Sequence, residues 1–148
     1  MIRAYYVHTT EFLIFKLGAF ILVSCNCFCA VIYVLFWVIL AFDSAGNLWV
    51  VTDISSGSMN AGIYKSFGNN GVFFIPTSGS DKGQAAQFAS APVGAEMTGP
   101  WFTPDETTLF LAVQHPGENL KAYDQPTSHW PKGGSSVALP GVIAITGF

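Results

Sequence analysis

Basic residues are scarce in this 148-residue chain, which has six lysines and arginines against nine aspartates and glutamates. After Asp43 the lysines stand singly, whereas a nucleic-acid-binding surface needs lysines and arginines clustered on one face. The sequence therefore excludes nucleic acid as a partner. The acidic residues have two interpretations, a solvated acidic surface or a set of ligands for hard cations such as calcium.

Cysteine is absent from residues 30–148, since the three cysteines of the chain are Cys25, Cys27 and Cys29. A disulfide framework is therefore excluded for most of the chain. Alternate thiols fit neither the usual zinc spacing nor a redox pair, and we interpret them as small apolar side chains. The three histidines also lack a zinc-type spacing.

Charged residues are absent between positions 17 and 42, where most residues are apolar. As a helix this run would be about 39 Å long, and the hydrocarbon core of a bilayer is about 30 Å thick. The pattern predicts one transmembrane α-helix through residues 17–42, in a chain that is membrane-anchored or exported. The alternatives for residues 1–41 are an uncleaved signal segment, out-of-frame translation and, ranked lower, a lipoprotein box at residues 22–25.

No convincing helical stripe follows Asp43. Turn-forming clusters of glycine, asparagine, serine and proline recur instead, and short segments with strand composition lie between them. The predicted strands are residues 48–52, 72–75, 86–89, 108–113 and 142–145. The second predicted domain, residues 42–148, is therefore all-β.

One segment of the chain is repeated in outline. Residues 42–51 (FDSAGNLWVV) recur as residues 102–111 (FTPDETTLFL), with one residue inserted in the turn. Such a repeat, built on a turn between two strands, is typical of a β-propeller blade. Five strands make one to two blades, so we expect a partial propeller. Its open strand edges would need a partner, or a second copy of the chain, to cover them.

Two short segments carry candidate metal ligands. Glu96 lies between Gly94 and the pair at residues 99–100 (Gly-Pro), which disfavour regular helix and let other groups approach the backbone closely. His115 and Glu118 follow a predicted strand, at a position where propellers present side chains to the central channel or to a face of the ring. Each of these residues also has a plain structural interpretation, as part of a surface turn or a hydrogen-bonded strand end.

Five segments occur in the order and approximate spacing of the carboxy-terminal end of the PhoX alkaline phosphatases, and the chain resembles that family. They are residues 42–53, 68–73 (GNNGVF), 94–100 (GAEMTGP), 102–105 (FTPD) and 114–118 (QHPGE). Residues 128–131 (SHWP) resemble the tail of the same family. The resemblance covers about 106 residues, from residue 43 to residue 148.

Resemblance to PhoX implies an exported six-bladed β-propeller that hydrolyses phosphomonoesters at a cluster of calcium and iron ions. Cations held by carboxylates would neutralise the phosphoryl oxygens during displacement. On this resemblance the candidate metal ligands are, in decreasing order of weight, Glu96, then Asp43 and Asp53, then Asn70, His115 and Glu118.

The amino-terminal part departs from the family. The segment before Phe42 (VILA, residues 38–41) lacks the Pro-Asp-Asn lead-in of PhoX proteins, and nothing resembling the earlier blades precedes it. The cysteines match no family motif and take no iron-ligand role. We therefore expect a phosphatase fragment that is inactive alone. The alternative is a membrane-anchored β-module that binds a partner by strand addition without catalysis.

Overall fold

The computed structural model describes residues 3–7, 38–119, 122 and 125–148, and of residues 3–7, 38 and 63 it describes the backbone alone. These residues form β-strands and one 3₁₀ helix (Gly62–Ser66). The strands are β1 (Arg3–Val7), β2 (Val38–Phe42), β3 (Leu48–Thr52), β4 (Gly71–Ile75), β5 (Ala86–Ser90), β6 (Glu96–Phe102), β7 (Thr108–Gln114) and β8 (Gly141–Thr146).

The strands form two four-stranded antiparallel sheets. The first sheet has the order β2-β3-β4-β5, and the second has the order β1-β8-β7-β6. The all-β prediction is confirmed, and the five predicted strands agree with β3, β4, β5, β7 and β8 to within one residue at each end. Strand β1 was not predicted, and β2 and β6 were expected only as the strand ends that lead into the turn of the repeat, without bounds.

The two copies of the sequence repeat are both β-hairpins. In the first, β2 pairs with β3 so that Phe42 lies opposite Leu48. In the second, β6 pairs with β7 so that Phe102 lies opposite Leu109. The repeat therefore marks the same supersecondary unit in each sheet, as the sequence predicted.

The prediction of a transmembrane helix is wrong for its last five residues, 38–42. Residues 38–42 form strand β2, because β3 offers a complete antiparallel partner for their backbone groups, from Val38 opposite Thr52 onward. The rest of the predicted span, residues 17–37, lies outside the described residues. Within the part of the chain that the structure describes, no helix is long and apolar enough to cross a membrane.

The main hydrophobic core lies between the two sheets. Strand β7 shows how the sequence builds it, since Leu109, Leu111 and Val113 alternate along the strand and are almost completely buried. They pack with Val51 and Val72 of the first sheet in one cluster. Side chains of a strand alternate between its two faces, so this periodicity puts one face of each sheet into a shared interior.

Trp49 is the centre of an aromatic cluster in the same interior. Its ring lies 5.0 Å from those of Phe74 and Phe88 in the first sheet and 5.2 Å from that of Phe102 in the second, measured between centroids. The interplanar angles of 59° to 79° are those of tilted and edge-to-face pairs, which aromatic rings prefer to a face-to-face stack. The cluster therefore fixes how the two sheets pack.

The antiparallel order defines two ends of the molecule. At the Asn70 end, β3 and β7 finish while β4 and β6 begin. At the Asp43 end, β2 and β6 finish while β3 and β7 begin. Strand β3 has five residues, which separates the two ends by roughly 16 Å at about 3.3 Å per residue.

Candidate functional site

Five of the six predicted metal ligands lie at the Asn70 end. Asp53 directly follows β3, Asn70 directly precedes β4, and Glu96 is the first residue of β6. His115 directly follows β7, and Glu118 lies in the turn after it. The register puts Glu96 opposite Gln114, one residue before His115. This end of the two sheets is therefore the candidate site.

Asn70 joins the two sheets at this end. Its side chain is completely buried. The amide oxygen accepts hydrogen bonds from Thr52 Oγ1 (3.0 Å) and from the backbone N–H of Ile54 (2.5 Å). The amide nitrogen donates to the carbonyl oxygens of Ile54 and Ala95, both at 3.0 Å. Because an asparagine amide has two acceptor positions and two donors, these four bonds use its whole capacity.

Two turns meet beside Glu96 and form the wall of the site. The backbone N–H of Gly117 donates to the carbonyl of Val93 (2.8 Å), and that of Glu118 donates to the carbonyl of Gly94 (3.4 Å). Gly94 has a φ of +68°, and a Cβ atom there would lie 2.6 Å from Asn119 Oδ1. This approach is possible only for glycine, which explains its position before Glu96.

The turn after β7 carries His115 and Glu118 on its exposed side. His115 has a φ of +49°, in the left-handed region that residues other than glycine adopt seldom and that histidine adopts more often than most. Its carbonyl accepts a hydrogen bond of 2.9 Å from the backbone N–H of Glu118. Both residues are exposed, whereas Glu96 is half-buried. A group arriving from solvent would therefore reach the imidazole and the Glu118 carboxylate first.

A later segment of the chain supports this turn from outside. Thr127 Oγ1 donates to Asn119 Oδ1 at 2.6 Å. Ser128 is buried, and a Cβ atom on Gly117 would lie 3.3 Å from that of Ser128. The segment around Thr127 and Ser128 therefore packs directly on the turn that carries His115 and Glu118.

Asp43 lies at the opposite end of the molecule. Its carboxylate accepts hydrogen bonds from the backbone and side chain of Asn47 (2.8 and 3.0 Å) and from the indole N–H of Trp49 (3.1 Å). Burial raises the pKa of Asp43, but the bonds from Trp49 and Asn47 together outweigh burial and lower the pKa below its ordinary value. The six predicted ligands therefore do not form one cluster, because Asp43 serves the turn between β2 and β3.

A carboxylate bridge links the two sheets at the Asp43 end. Glu106, in the turn between β6 and β7, accepts hydrogen bonds from the backbone N–H of Ser44 (2.5 Å) and from Ser44 Oγ (2.7 Å). Glu106 has a φ of +53°. No local pattern in the sequence predicts this bridge, because the two residues are 62 positions apart.

Two comparisons identify the family of the chain. The family model of alkaline phosphatase PhoX matches residues 39–117, which is more than half of the sequence. The chain belongs to the PhoX alkaline phosphatase family. It is also similar to the solved structure of Pseudomonas fluorescens PhoX in complex with vanadate, a transition state analogue, with 38% sequence identity and a TM-score of 0.58. No curated protein matches the chain.

The match to Pseudomonas fluorescens PhoX covers 72% of this chain but 17% of the other. The chain thus spans about a sixth of that PhoX protein. The matched residues 39–117 include residues from both ends of the folded body, namely Asp43 at one end and Asp53, Asn70 and Glu96 at the other. The resemblance found in the sequence motifs is therefore confirmed at the level of the family.

PhoX proteins are metal-dependent phosphatases, so the residues of the Asn70 end should be compared with what a metal site needs. Within the described ranges, no three His, Cys, Asp or Glu side chains come together in a group that could hold a metal ion. The oxygen of Asn70 is already occupied by two hydrogen bonds. These residues therefore do not make a calcium or iron site by themselves, and their role as ligands stays a prediction.

The open groove between the sheets is unsuited to a phosphate group. It has a volume of about 420 Å³ and is lined mostly by apolar surface, including Met97, Trp130 and Ile143. A phosphomonoester needs polar or charged partners, which such a lining does not supply. The candidate site is therefore the surface of the Asn70 end rather than this groove.

Proposed function

We propose that residues 3–7 and 38–148 belong to a PhoX-type β-propeller, with the two four-stranded sheets as neighbouring blades of a six-bladed ring. A complete enzyme of this kind would hydrolyse phosphomonoesters, would be exported, and would use calcium and iron. The proposal is supported by the family membership and by the four-stranded antiparallel form of both sheets. That form is the usual form of a propeller blade.

One observation carries the assignment of the site. Asp53 in the first sheet, and Glu96 and His115 in the second, all stand at strand ends on the same side of the molecule. Strand ends of neighbouring blades face the mouth of a propeller channel, so these side chains would meet there with groups from other blades. Asp53 and Glu96 would supply carboxylate oxygens, which hard cations prefer as ligands.

The same residues explain why the chain should be inactive alone. Bound cations would supply the positive charge that neutralises the phosphoryl oxygens. Without them, Asp53, Glu96 and Glu118 present negative charge to a negatively charged substrate, which repels it. Because no three potential ligands group together among the described residues, the chain is expected to need ligands from further blades.

The first experiment measures phosphatase activity of the purified chain. The assay supplies p-nitrophenyl phosphate, calcium chloride and an iron salt at alkaline pH. We expect no release of nitrophenolate above that of buffer. Robust turnover by the isolated chain would refute the claim that its site is incomplete.

The second experiment restores the missing ligands. The chain is co-expressed with Pseudomonas fluorescens PhoX from which the matching segment has been deleted. We expect turnover to return, and we expect Glu96→Gln to abolish it while Asp105→Asn, which changes an exposed carboxylate at the Asp43 end, leaves it unchanged. Full activity of the Glu96→Gln complex would remove Glu96 from the site.

A second candidate function is a binding module that adds a strand to a partner's sheet, with a membrane anchor supplied by residues 17–37. The observation that favours strand addition is β2, an edge strand made of five apolar residues without proline or charge. The other edge strand of its sheet, β5, carries a β-bulge, and bulges discourage edge pairing. Crosslinking that finds only monomers in membranes would count against this function.

A further inference from the structure

Asn70 lies between the two carboxylates of the candidate site that belong to different sheets. Its amide oxygen is bonded to Thr52 and Ile54, the residues on either side of Asp53. Its amide nitrogen is bonded to the carbonyl of Ala95, the residue before Glu96. One buried side chain thus holds the backbone next to both carboxylates.

We propose that Asn70 is a positioning residue, which fixes Asp53 and Glu96 relative to each other across the two sheets. This inference rests on the proposed function for the importance of those two carboxylates. It assigns Asn70 a different role from metal ligand, because all four hydrogen-bonding positions of its amide are already used within the protein.

The geometry of Thr52 shows how the network is built. Its hydroxyl donates to Asn70 Oδ1 (3.0 Å) and accepts a hydrogen bond from the backbone N–H of Gly71 (3.0 Å). It therefore joins the end of β3 to the start of β4 without reaching the second sheet. Thr52 supports the Asp53 side of the network, whereas Asn70 supports both sides.

A glycine neighbour explains why the network can form. A Cβ atom on Gly71 would lie 2.7 Å from the carbonyl oxygen of Ala89 in β5, so a side chain there would force the strands apart. The sequence Asn70-Gly71 thus combines a buried amide with a close strand approach. In sequence alone it is read as a turn signal.

The test uses nuclear magnetic resonance of the whole chain at pH 7. The carboxyl ¹³C shifts of Asp53 and Glu96 are measured, with that of Asp43 at the far end as an internal reference. Asn70→Ala should move the Asp53 and Glu96 signals and leave the Asp43 signal in place. Hydrogen exchange of the Ile54 amide should accelerate by at least about tenfold, since its acceptor is lost.

Two further variants separate positioning from general stability. Thr52→Val should move the Asp53 signal and not the Glu96 signal, because the bond from Asn70 to Ala95 remains. Val72→Ala changes a completely buried core residue. It should lower the free energy of unfolding without a specific shift of the Asp53 and Glu96 carboxyl signals. If Asn70→Ala fails to fold, the Thr52→Val result decides.

Three outcomes would overturn the inference. The first is an Asn70→Ala variant in which all signals move together, as in Val72→Ala. The second is a Thr52→Val variant that moves both carboxyls or neither. The third is a shift of the Asn70 side-chain amide on addition of calcium chloride to the original chain, which would make Asn70 a ligand. None of these measurements uses phosphatase activity, so failure of the proposed function is recognised separately.

Discussion

Glu106 uses a left-handed backbone conformation to reach across from one sheet to the other. Replacing it with alanine removes two hydrogen bonds to Ser44 and should cost about 1 kcal/mol of unfolding free energy, measured by urea denaturation. Amide exchange at Ser44 should rise in the same variant. Asp105→Ala removes a neighbouring carboxylate but leaves the bridge, so an equal rise of Ser44 exchange in that control would contradict this role.

Asp43 should make the stability of the chain depend on acid pH. Its pKa is lowered in the folded state, because the hydrogen bonds from Trp49 and Asn47 outweigh burial. A lowered pKa gives stability that is present above the unfolded pKa, about 3.9, and is lost as pH falls through the folded value. The urea concentration at the midpoint of unfolding should therefore decline as the pH is lowered from about 6 to about 3.

The control for this pH dependence is a pair of asparagine variants. Asp43→Asn should be less stable at neutral pH, because it loses the charged acceptor, and its midpoint should fall less steeply with acid. Asp81→Asn removes an exposed charge from the loop between β4 and β5 and should keep the original steepness. An unchanged slope in Asp43→Asn would show that other carboxylates carry the effect. Asp105, whose pKa is lowered by hydrogen bonds from Thr103 and Thr107, is the first alternative.

At the scale of single residues, sequence reasoning named five residues that the fold brings to one end of the molecule, but it did not predict the contacts that each residue makes. Glu96 and His115 were identified from their settings, and both lie at the Asn70 end. Asn70 was identified too, yet its partners Ile54 and Ala95 are 16 and 25 positions away. Such contacts are set by the packing of two sheets, which no local pattern encodes.

At the scale of elements, turn glycines should differ in cost according to what surrounds them. Gly99 has a φ of +60°, and a Cβ atom added there would meet no atom within 4 Å, whereas a Cβ on Gly94 would collide with Asn119. Gly99→Ala should cost about 1–2 kcal/mol from backbone conformation alone. Gly94→Ala should cost clearly more, and thermal or urea unfolding of the two variants measures the difference. Equal costs would mean that the turn after β7 moves aside freely.

The extents of β2 and β6 could not be predicted from the sequence, for physical reasons. In β6, Gly99 and Pro100 lie at a register shift between Thr98 and Trp101. Glycine and proline usually mark the end of a strand, and here they mark a bulge inside one. Strand β2 is the end of a long uncharged run, in which periodicity cannot separate a buried strand from a helix. Strands with clear alternation, such as β7, were predicted to within one residue.

At the scale of the whole molecule, strand β1 constrains any membrane topology. Arg3 to Val7 pair with β8, and Val7 lies opposite Val142 near the Asn70 end. Strand β2 begins at the same end, with Val38 opposite Thr52. Val7 and Val38 therefore lie at the same end of the folded body. A segment that crosses a bilayer once puts its two flanks on opposite sides, so a single span within residues 17–37 and the pairing of β1 with β8 exclude each other.

This conflict gives a prediction for the chain in membranes. Single cysteines are placed before Met1 and at Lys82, in a background where Cys25, Cys27 and Cys29 are serine, and sealed vesicles are treated with a membrane-impermeant maleimide. If β1 pairs with β8, both cysteines react or both are protected, because they belong to one folded body. A single-span anchor would leave one reactive and the other protected until detergent is added. That result would show that β1 does not pair with β8 in membranes. Strand β8 would then have an open edge, at which we would expect a strand of a neighbouring molecule to bind.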